Sequence, residues 1–187
     1  MLDLAAALLA LPFFVPLFII IAILIKLEDN GPVFYNANRV GFCGTIFKMF
    51  KFRSMKVNAP DIRLEDGSTY NAKDDPRVTK IGKILRETSL DETPQLLNVL
   101  LGDMSTIGPR PDPPDWLDRY PEEFKCFLNV KPGITGYNQA YFRNEADGYQ
   151  KMVHDCFYAK NISFTLDLKI MLKTIITLVT RKNTYKR

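Results

Sequence analysis

The sequence predicts an α+β domain, mostly helical, carried on one N-terminal membrane-inserted helix. Three observations predict it. An almost uninterrupted apolar run extends from Leu4 to Ile25, two β-rich stretches flank Gly41-Phe42-Cys43-Gly44, and apolar residues recur at helical spacing after Val78, around Leu96 and towards the C-terminus. The chain has 187 residues, and single domains run to roughly 100 to 200. The expected division is a membrane-inserted segment over 1–29 and one globular domain over 30–187.

The leader meets the length requirement for a bilayer helix, about 20 apolar residues. Pro12 and Pro16 each remove a helical hydrogen bond and press on the carbonyl four residues earlier, at Leu8 and Pro12, so a bend is expected near the middle. A straight span and a re-entrant hairpin both fit, the second requiring that the freed carbonyls find partners inside the protein. A signal peptide does not fit: Lys and Arg are missing before the apolar run, Asp3 is acidic, and no small-residue cleavage site precedes Lys26-Leu27-Glu28-Asp29.

Asn30-Gly31-Pro32 reads as a turn. Val33-Phe34-Tyr35 and Thr45 to Phe52 then read as the strands of a small β-hairpin. The polar stretch from Asn58 to Asp75 is expected to be a mobile loop. Val78, Ile81, Ile84 and Leu85 mark a short amphipathic helix with Lys80, Lys83 and Arg86 off its core face. The next helix is registered by Pro94, which fits only in a first turn, so its N-cap is Asp91, Glu92 or Thr93. Leu96, Leu97, Leu100 and Leu101 form its expected buried stripe, and Gly102 ends it. A C-terminal helix carries Leu166, Leu168, Met171, Leu172, Ile175, Ile176, Leu178 and Val179 with Lys169 and Lys173 four apart, which suits an interfacial helix or a core helix under the site.

Composition narrows the function classes. With 25 basic and 21 acidic residues interspersed and a net charge of +4, nucleic-acid binding is not expected. The basic excess collects in Arg181 to Arg187. Cys43, Cys126 and Cys156 are odd in number and lack metal-ligand spacing, so reduced thiols are expected, with neither disulfide nor zinc. Neither a P-loop nor a kinase-type Gly-rich loop is present, which disfavours ordinary nucleoside triphosphate chemistry.

The chemistry-bearing residues cluster in the middle of the chain. Asp91 and Glu92 lie side by side at an expected helix N-terminus, where dipole and free N–H groups favour negative charge; helix capping alone is the competing explanation. Gly108-Pro109-Arg110-Pro111 sets an arginine between two prolines, a stiff frame for bidentate capture of phosphate oxygens. Lys51 and Arg53 face one side of a strand, and Pro132-Gly133-Ile134-Thr135-Gly136 adds a rigid turn. Carboxylates able to hold Mg²⁺ or act as nucleophile, together with cations for phosphate, are the inventory of phosphoryl transfer.

These segments resemble, in order and over nearly the whole chain, the bacterial sugar transferases, the monotopic phosphoglycosyl transferases that load a polyprenol phosphate carrier. The likeness rests on the leader running into Ile25-Lys26-Leu27 and Gly31-Pro32-Val33-Phe34, then Lys51-Phe52-Arg53-Ser54-Met55 and Asp75-Pro76-Arg77-Val78-Thr79. It continues through Leu85-Arg86, Ser89-Leu90-Asp91-Glu92, Gln95-Leu96, Asn98-Val99, Met104-Ser105 and Gly108-Pro109-Arg110-Pro111. Pro132 to Gly136, Asp155, Asn161-Ile162-Ser163 and Asp167 complete it.

The resemblance implies a re-entrant leader in the bacterial inner membrane, with the catalytic domain on the cytoplasmic face and amphipathic helices at the interface. It implies that Asp91 attacks the sugar-bearing phosphoryl group of a nucleotide diphosphate sugar, a UDP-sugar for choice, releasing UMP. Polyprenol phosphate would then displace Asp91 from an aspartyl phosphosugar. Glu92 would serve as Mg²⁺ ligand or proton acceptor, Lys51, Arg86, Arg110 and Arg143 would bind phosphate, and Asp91, Glu92 and Asp155 would be the candidate metal ligands. The implied partners are the sugar nucleotide, polyprenol phosphate and the bilayer; a homodimer is left open. His154, the only histidine, is read as a peripheral helix residue. Ala140-Tyr141-Phe142-Arg143 is bulkier than the Gly-containing form often seen in the family, which bears on the sugar or base pocket. The rival classes are a glycosyltransferase, which would release UDP, and a non-catalytic membrane scaffold.

Overall fold

The computed structural model describes residues 2–62, 70, 72, 74–142 and 146–180. Helix α1 (Leu2–Asp29) runs without interruption through Pro12 and Pro16. Its stretch Ala7–Asp29 is long and apolar enough to cross a membrane, and only 11% of its most apolar window is buried. Both ends of α1 are nevertheless bonded to the rest of the protein. Asp3 accepts from Ser105 Oγ and Thr106 N, each at 2.9 Å. At the other end Glu28 accepts from the backbone of Lys80 and Ile81, and Asp29 takes both prongs of the Arg53 guanidinium at 2.5 and 2.7 Å.

The hairpin is present: β1 (Phe34–Val40) pairs antiparallel with β2 (Ile46–Phe52), longer on its first strand than the sequence suggests. Helix α2 (Lys80–Thr88) starts at Thr79, whose side chain accepts from Gly82 N. The flanks of the loop before it are pinned by Arg77, which binds Asp75 and donates to the carbonyls of Pro60 and Tyr70. The intervening residues 63–69, 71 and 73, on which the expectation of a mobile loop chiefly falls, lie outside the described residues, as does the basic tail.

Helix α3 (Gln95–Leu101) departs from expectation at both its start and its inner face. Pro94 occupies the cap position and no side chain caps the helix, because Asp91 and Glu92 belong to a separate 3-10 turn, Leu90–Glu92. Ser89, left-handed at φ 58°, ends α2 and redirects the chain into that turn. The buried residues of α3 are Gln95, Asn98 and Val99, whereas Leu101 is 69% exposed. Leu96 and Leu100 of the expected stripe pack with Val99 against the core, while Gln95 and Asn98 add a polar part to the inner face, where Asn98 supports a strand edge. Gly102 ends the helix at φ 86°, as expected.

A second, parallel pair, β3 (Ser105–Ile107) with β4 (Gly133–Thr135), was not anticipated, since its segments read as a stiff loop and a turn. The two backbones can meet because Gly108 lacks a side chain: a Cβ there would lie 2.3 Å from the Lys131 carbonyl oxygen. The 3-10 helices Pro114–Arg119 and Glu122–Asn129 precede β4, and α4 (Tyr137–Tyr141), α5 (Gly148–Lys160) and α6 (Phe164–Thr180) follow it.

The expectation of reduced cysteines is corrected in part. Cys126 and Cys156 are joined as a disulfide with Cα atoms 5.9 Å apart, and Cys43 is free. Spacing along the chain does not reveal this pair, because it forms through the packing of Glu122–Asn129 on α5 around Tyr120, Phe124 and Phe127.

Helix α6 turns hydroxyls inward and hydrocarbon outward. Thr174 bonds Thr135 at 2.7 Å and Thr177 donates to Ala140 O, while Leu168, Leu172, Ile175, Ile176 and Val179 are exposed and Ile170 is fully buried. Apolar residues facing outward along α1 and α6 form a surface that water alone would penalise.

Candidate active site

Side-chain amides and glycine contacts set the site's frame. Asn98, fully buried on α3, donates to Lys48 O and accepts from Phe50 N, so it holds β2 against α3. That clamp places Lys51 over the Leu90–Glu92 turn. Lys51 Nζ lies 2.9 Å from Glu92 Oε1 and 3.5 Å from Asp91 Oδ2. From the opposite side the Arg110 fork grips Glu92, Nη2 to Oε1 at 2.6 Å and Nη1 to Oε2 at 3.2 Å. Its loop is fastened to β4 by Gly108 N donating to Thr135 O and Gly133 N donating to Pro109 O.

The adjacent carboxylates are therefore in different electrostatic states. Burial pushes the Asp91 carboxyl above its ordinary range, against the pull of Lys51, and neighbouring Glu92 adds to the rise. Burial also opposes ionisation of Glu92, but Arg110 and Lys51 outweigh it and hold that carboxyl well below the usual range. Glu92 is the fixed anion that organises two cations. Asp91 meets Lys51 only at 3.5 Å, so its oxygens are less committed. A carboxylate placed in this way, beside cations able to receive phosphate oxygens, can attack a phosphoryl group.

The structure brings Asp91, Glu92, Lys51 and Arg110 together, with Arg86 at the border. Arg86 Nε donates to Ser54 Oγ at 2.9 Å, and its charge acts on both Asp91 and Asp75. Arg53, paired with Lys51 in the sequence pattern, instead fastens α1 through Asp29 and reaches the carbonyls of Pro32 and Met55. Arg143 lies outside the described residues. His154 bonds Asn138 Oδ1 at 2.8 Å and stacks on Phe142, away from the carboxylate network.

Asp155 belongs to a second cluster. Its Oδ2 is 3.5 Å from Lys151 Nζ, which bonds Asp112 Oδ2 at 2.6 Å, and Tyr120 Oη donates to the same Asp112 oxygen. Among the described residues no group of three acidic, histidine or cysteine side chains gathers in metal-binding range, so Asp91, Glu92 and Asp155 do not form a ligand set. Asp155 sits 3.5 Å from the i, i+4 lysine on its own helix, and its buried Oδ2 has no hydrogen-bond partner among the described residues. The adjacent carboxylates still suit Mg²⁺, an ion commonly held by one or two carboxylates together with substrate phosphates.

Residues missed in the sequence include Asn98, Asp112, Tyr120 and Lys151. Asn98 carried a signal, since Gln95 and Asn98 are polar residues three apart on a leucine-rich helix. The Asp112–Lys151 contact joins residues 39 apart and left none.

Comparison with known proteins follows the same lines. Residues 1–181 match the family model described as bacterial sugar transferase. The chain is 42% identical over 184 residues to the UDP-N-acetylgalactosamine-undecaprenyl-phosphate N-acetylgalactosaminephosphotransferase of Aeromonas hydrophila, a match covering 95% of this chain and 43% of that protein. It is 40% identical over 195 residues to the exopolysaccharide production protein ExoY of Rhizobium meliloti, covering 98% of this chain and 86% of ExoY. To the undecaprenyl-phosphate galactose phosphotransferase of Salmonella typhimurium it is 40% identical over 169 residues, covering 84% of this chain and 36% of that protein. The chain thus spans less than half the length of two of these relatives.

Proposed function

The chain belongs to the bacterial sugar transferase family, and on that premise we propose that it transfers a phosphosugar from a nucleotide diphosphate sugar, a UDP-sugar for choice, to polyprenol phosphate. Two relatives are named for transfer to undecaprenyl phosphate. The carrying observation is the inequality between the two carboxylates: Glu92 is locked between Lys51 and Arg110, and Asp91 is buried beside them with its oxygens less engaged.

An Asp91 oxygen attacks the sugar-bearing phosphorus and the bond from that phosphorus to the bridging oxygen breaks. The electron pair leaves with the nucleoside monophosphate, and the phosphosugar remains on Asp91 as an acyl phosphate. A phosphate oxygen of the polyprenol phosphate then attacks the same phosphorus and expels the Asp91 carboxylate, giving polyprenyl diphosphosugar. Lys51 and Arg110 neutralise charge on the phosphoryl oxygens in both steps, and Arg86 approaches from the Ser54 side. Mg²⁺ held at Asp91 and Glu92 would add charge neutralisation on the diphosphate. Asp155 is given no metal-binding role.

We also place α1 as a re-entrant element of the bacterial inner membrane, with the domain on the cytoplasmic face. Support comes from its two fastened ends: a helix of 28 residues, about 42 Å long if straight at 1.5 Å per residue, has Asp3 and Glu28 bonded to one globular body. A simple span would put those ends in opposite compartments. The outward hydrocarbon of α6 suits the same membrane surface.

The test is nucleotide release from a panel of UDP-sugars with undecaprenyl phosphate, Mg²⁺ and detergent-solubilised protein, wild type against Asp91→Asn. UMP from the wild type alone is expected. UDP would instead establish glycosyl transfer, UMP from both proteins would remove Asp91 as nucleophile, and no nucleotide from any donor would favour a scaffold.

A further inference from the structure

A cavity of about 290 Å³ opens beside α2, lined among others by Asp74, Asp75, Thr79, Lys80, Lys83 and Arg86. It is roughly ten times the ~30 Å³ share of one water in the liquid. Its charge is predominantly positive. Asp75 is committed to Arg77, which meets both its oxygens, leaving Asp74 beside the exposed Lys80 and Lys83 on the lining. Lys80 and Lys83 are exposed and form no ion pair among the described residues. They stand three apart on α2, with Arg86 three further, so the cations form a file along one helix. The file ends at Arg86, whose charge also acts on Asp91.

The cavity's place identifies the class of anion. The N-terminus of α2 is tied to the C-terminal end of α1, where Glu28 accepts from the backbone of Lys80 and Ile81. Ile81 and Leu85 on the other face of α2 pack with Ile21 and Ile25 of α1. Ile84, between the lysines and Arg86 in sequence, is 56% exposed. Cations beside an exposed apolar side chain, at the foot of an apolar helix, suit a phosphate attached to hydrocarbon rather than a freely soluble nucleotide.

We propose that this cavity receives the phosphate monoester of the lipid acceptor, with Lys80 and Lys83 as first contacts and Arg86 as the group that passes it towards Asp91. The proposal rests on the phosphosugar-transfer reading. It gives the two substrates separate approaches: the donor meets Lys51 and Arg110, and the acceptor enters along α2.

The test compares wild type with the Lys80→Gln/Lys83→Gln double variant in neutral detergent, by calorimetric titration with farnesyl phosphate and by steady-state kinetics with undecaprenyl phosphate. Farnesyl phosphate binding is expected to weaken about tenfold, with a matching rise in acceptor KM, since each lysine near an anionic surface contributes on the order of a fewfold or more. Nucleotide release on mixing with donor alone should be unchanged. Equal binding and acceptor KM in both proteins would overturn the site. So would a defect seen only as lost binding to phosphatidylglycerol vesicles, which would make the lysines general headgroup contacts. If the wild type binds farnesyl phosphate more tightly than the variant yet no donor turns over, the site stands and the reaction assignment falls.

Discussion

Two partly buried clusters in this protein each contain two carboxylates and a lysine, and they arrange them differently. In the first, Asp91 and Glu92 face Lys51, Arg110 and, at the border, Arg86. In the second, Asp112 and Asp155 share Lys151, and Tyr120 closes one side. In the first, Lys51 and Arg110 meet the two carboxylates from opposite sides, and on the proposed reading the same two cations receive the phosphate. In the second the carboxylates exceed the cation, and burial lifts Asp155 to about 6, against the pull of Lys151. A carboxylate pair is therefore a poor marker of a phosphate site. The balance of charge around the pair is the better guide.

The same substitution in both clusters gives the largest contrast. Asp91→Asn removes the attacking oxygen and should lower turnover by at least about 10³-fold, as loss of a nucleophile commonly does. Asp155→Asn should leave turnover within about tenfold, because its partner is Lys151 and not the reacting group. Equal losses from the two, measured as initial rates of nucleotide release, would erase the distinction. Next in size is Arg110→Gln, which frees Glu92 from its fork and removes a phosphate contact. A fall of about 10²- to 10³-fold is expected in kcat/KM for the donor, with the acceptor KM little changed.

Smaller, but specific in sign, is the effect of Lys51→Met on pH dependence. Asp91 must be ionised to attack, and burial already raises its pKa while Lys51 restrains the rise. Removing that cation favours the neutral acid, so the acidic limb of the donor half-reaction should move to higher pH. A limb that stays in place would mean that Lys51 serves Glu92 alone.

How much of this was legible in the sequence depended on whether the relevant contact was local. The hairpin, α2, the end of α3 at Gly102 and the identity of Asp91, Glu92, Lys51 and Arg110 as a set could be read from spacing, punctuation and family resemblance. The apolar part of the inner face of α3, Leu96 and Leu100, could be read too, but its polar part could not, because Asn98 is buried by a strand it supports, Lys48 to Phe50, rather than by apolar preference. Lys51 and Arg53 looked equivalent on one strand face, and only the return of Asp29 at the end of α1 separates the anchor, Arg53, from the cation that meets Asp91 and Glu92. The Asp155–Lys151 contact is an i, i+4 pair on one helix and so lay within reach of the sequence. The β3–β4 pair and the Cys126–Cys156 disulfide are made by segments about 30 residues apart, beyond any local pattern.

The smallest effect tests the second cluster as a structural unit. Asp155 is 1% exposed, and its carboxyl is raised from 3.8 to about 6 by burial. A raised acid favours the protonated folded form, so its contribution to stability is full below about 4 and is lost as pH rises towards and through about 6. The span of roughly two pKa units corresponds to about 3 kcal/mol at most. Asn cannot ionise and keeps the shape of the neutral acid, so Asp155→Asn should remove this slope. The difference in unfolding free energy between variant and wild type, followed by denaturant titration in detergent, should therefore move in favour of the variant between pH 4 and pH 7.5. A constant difference across that range would mean that Lys151 holds Asp155 ionised throughout, and the second cluster would then be a conventional buried ion pair, sharing with the first a carboxylate fixed by its cation.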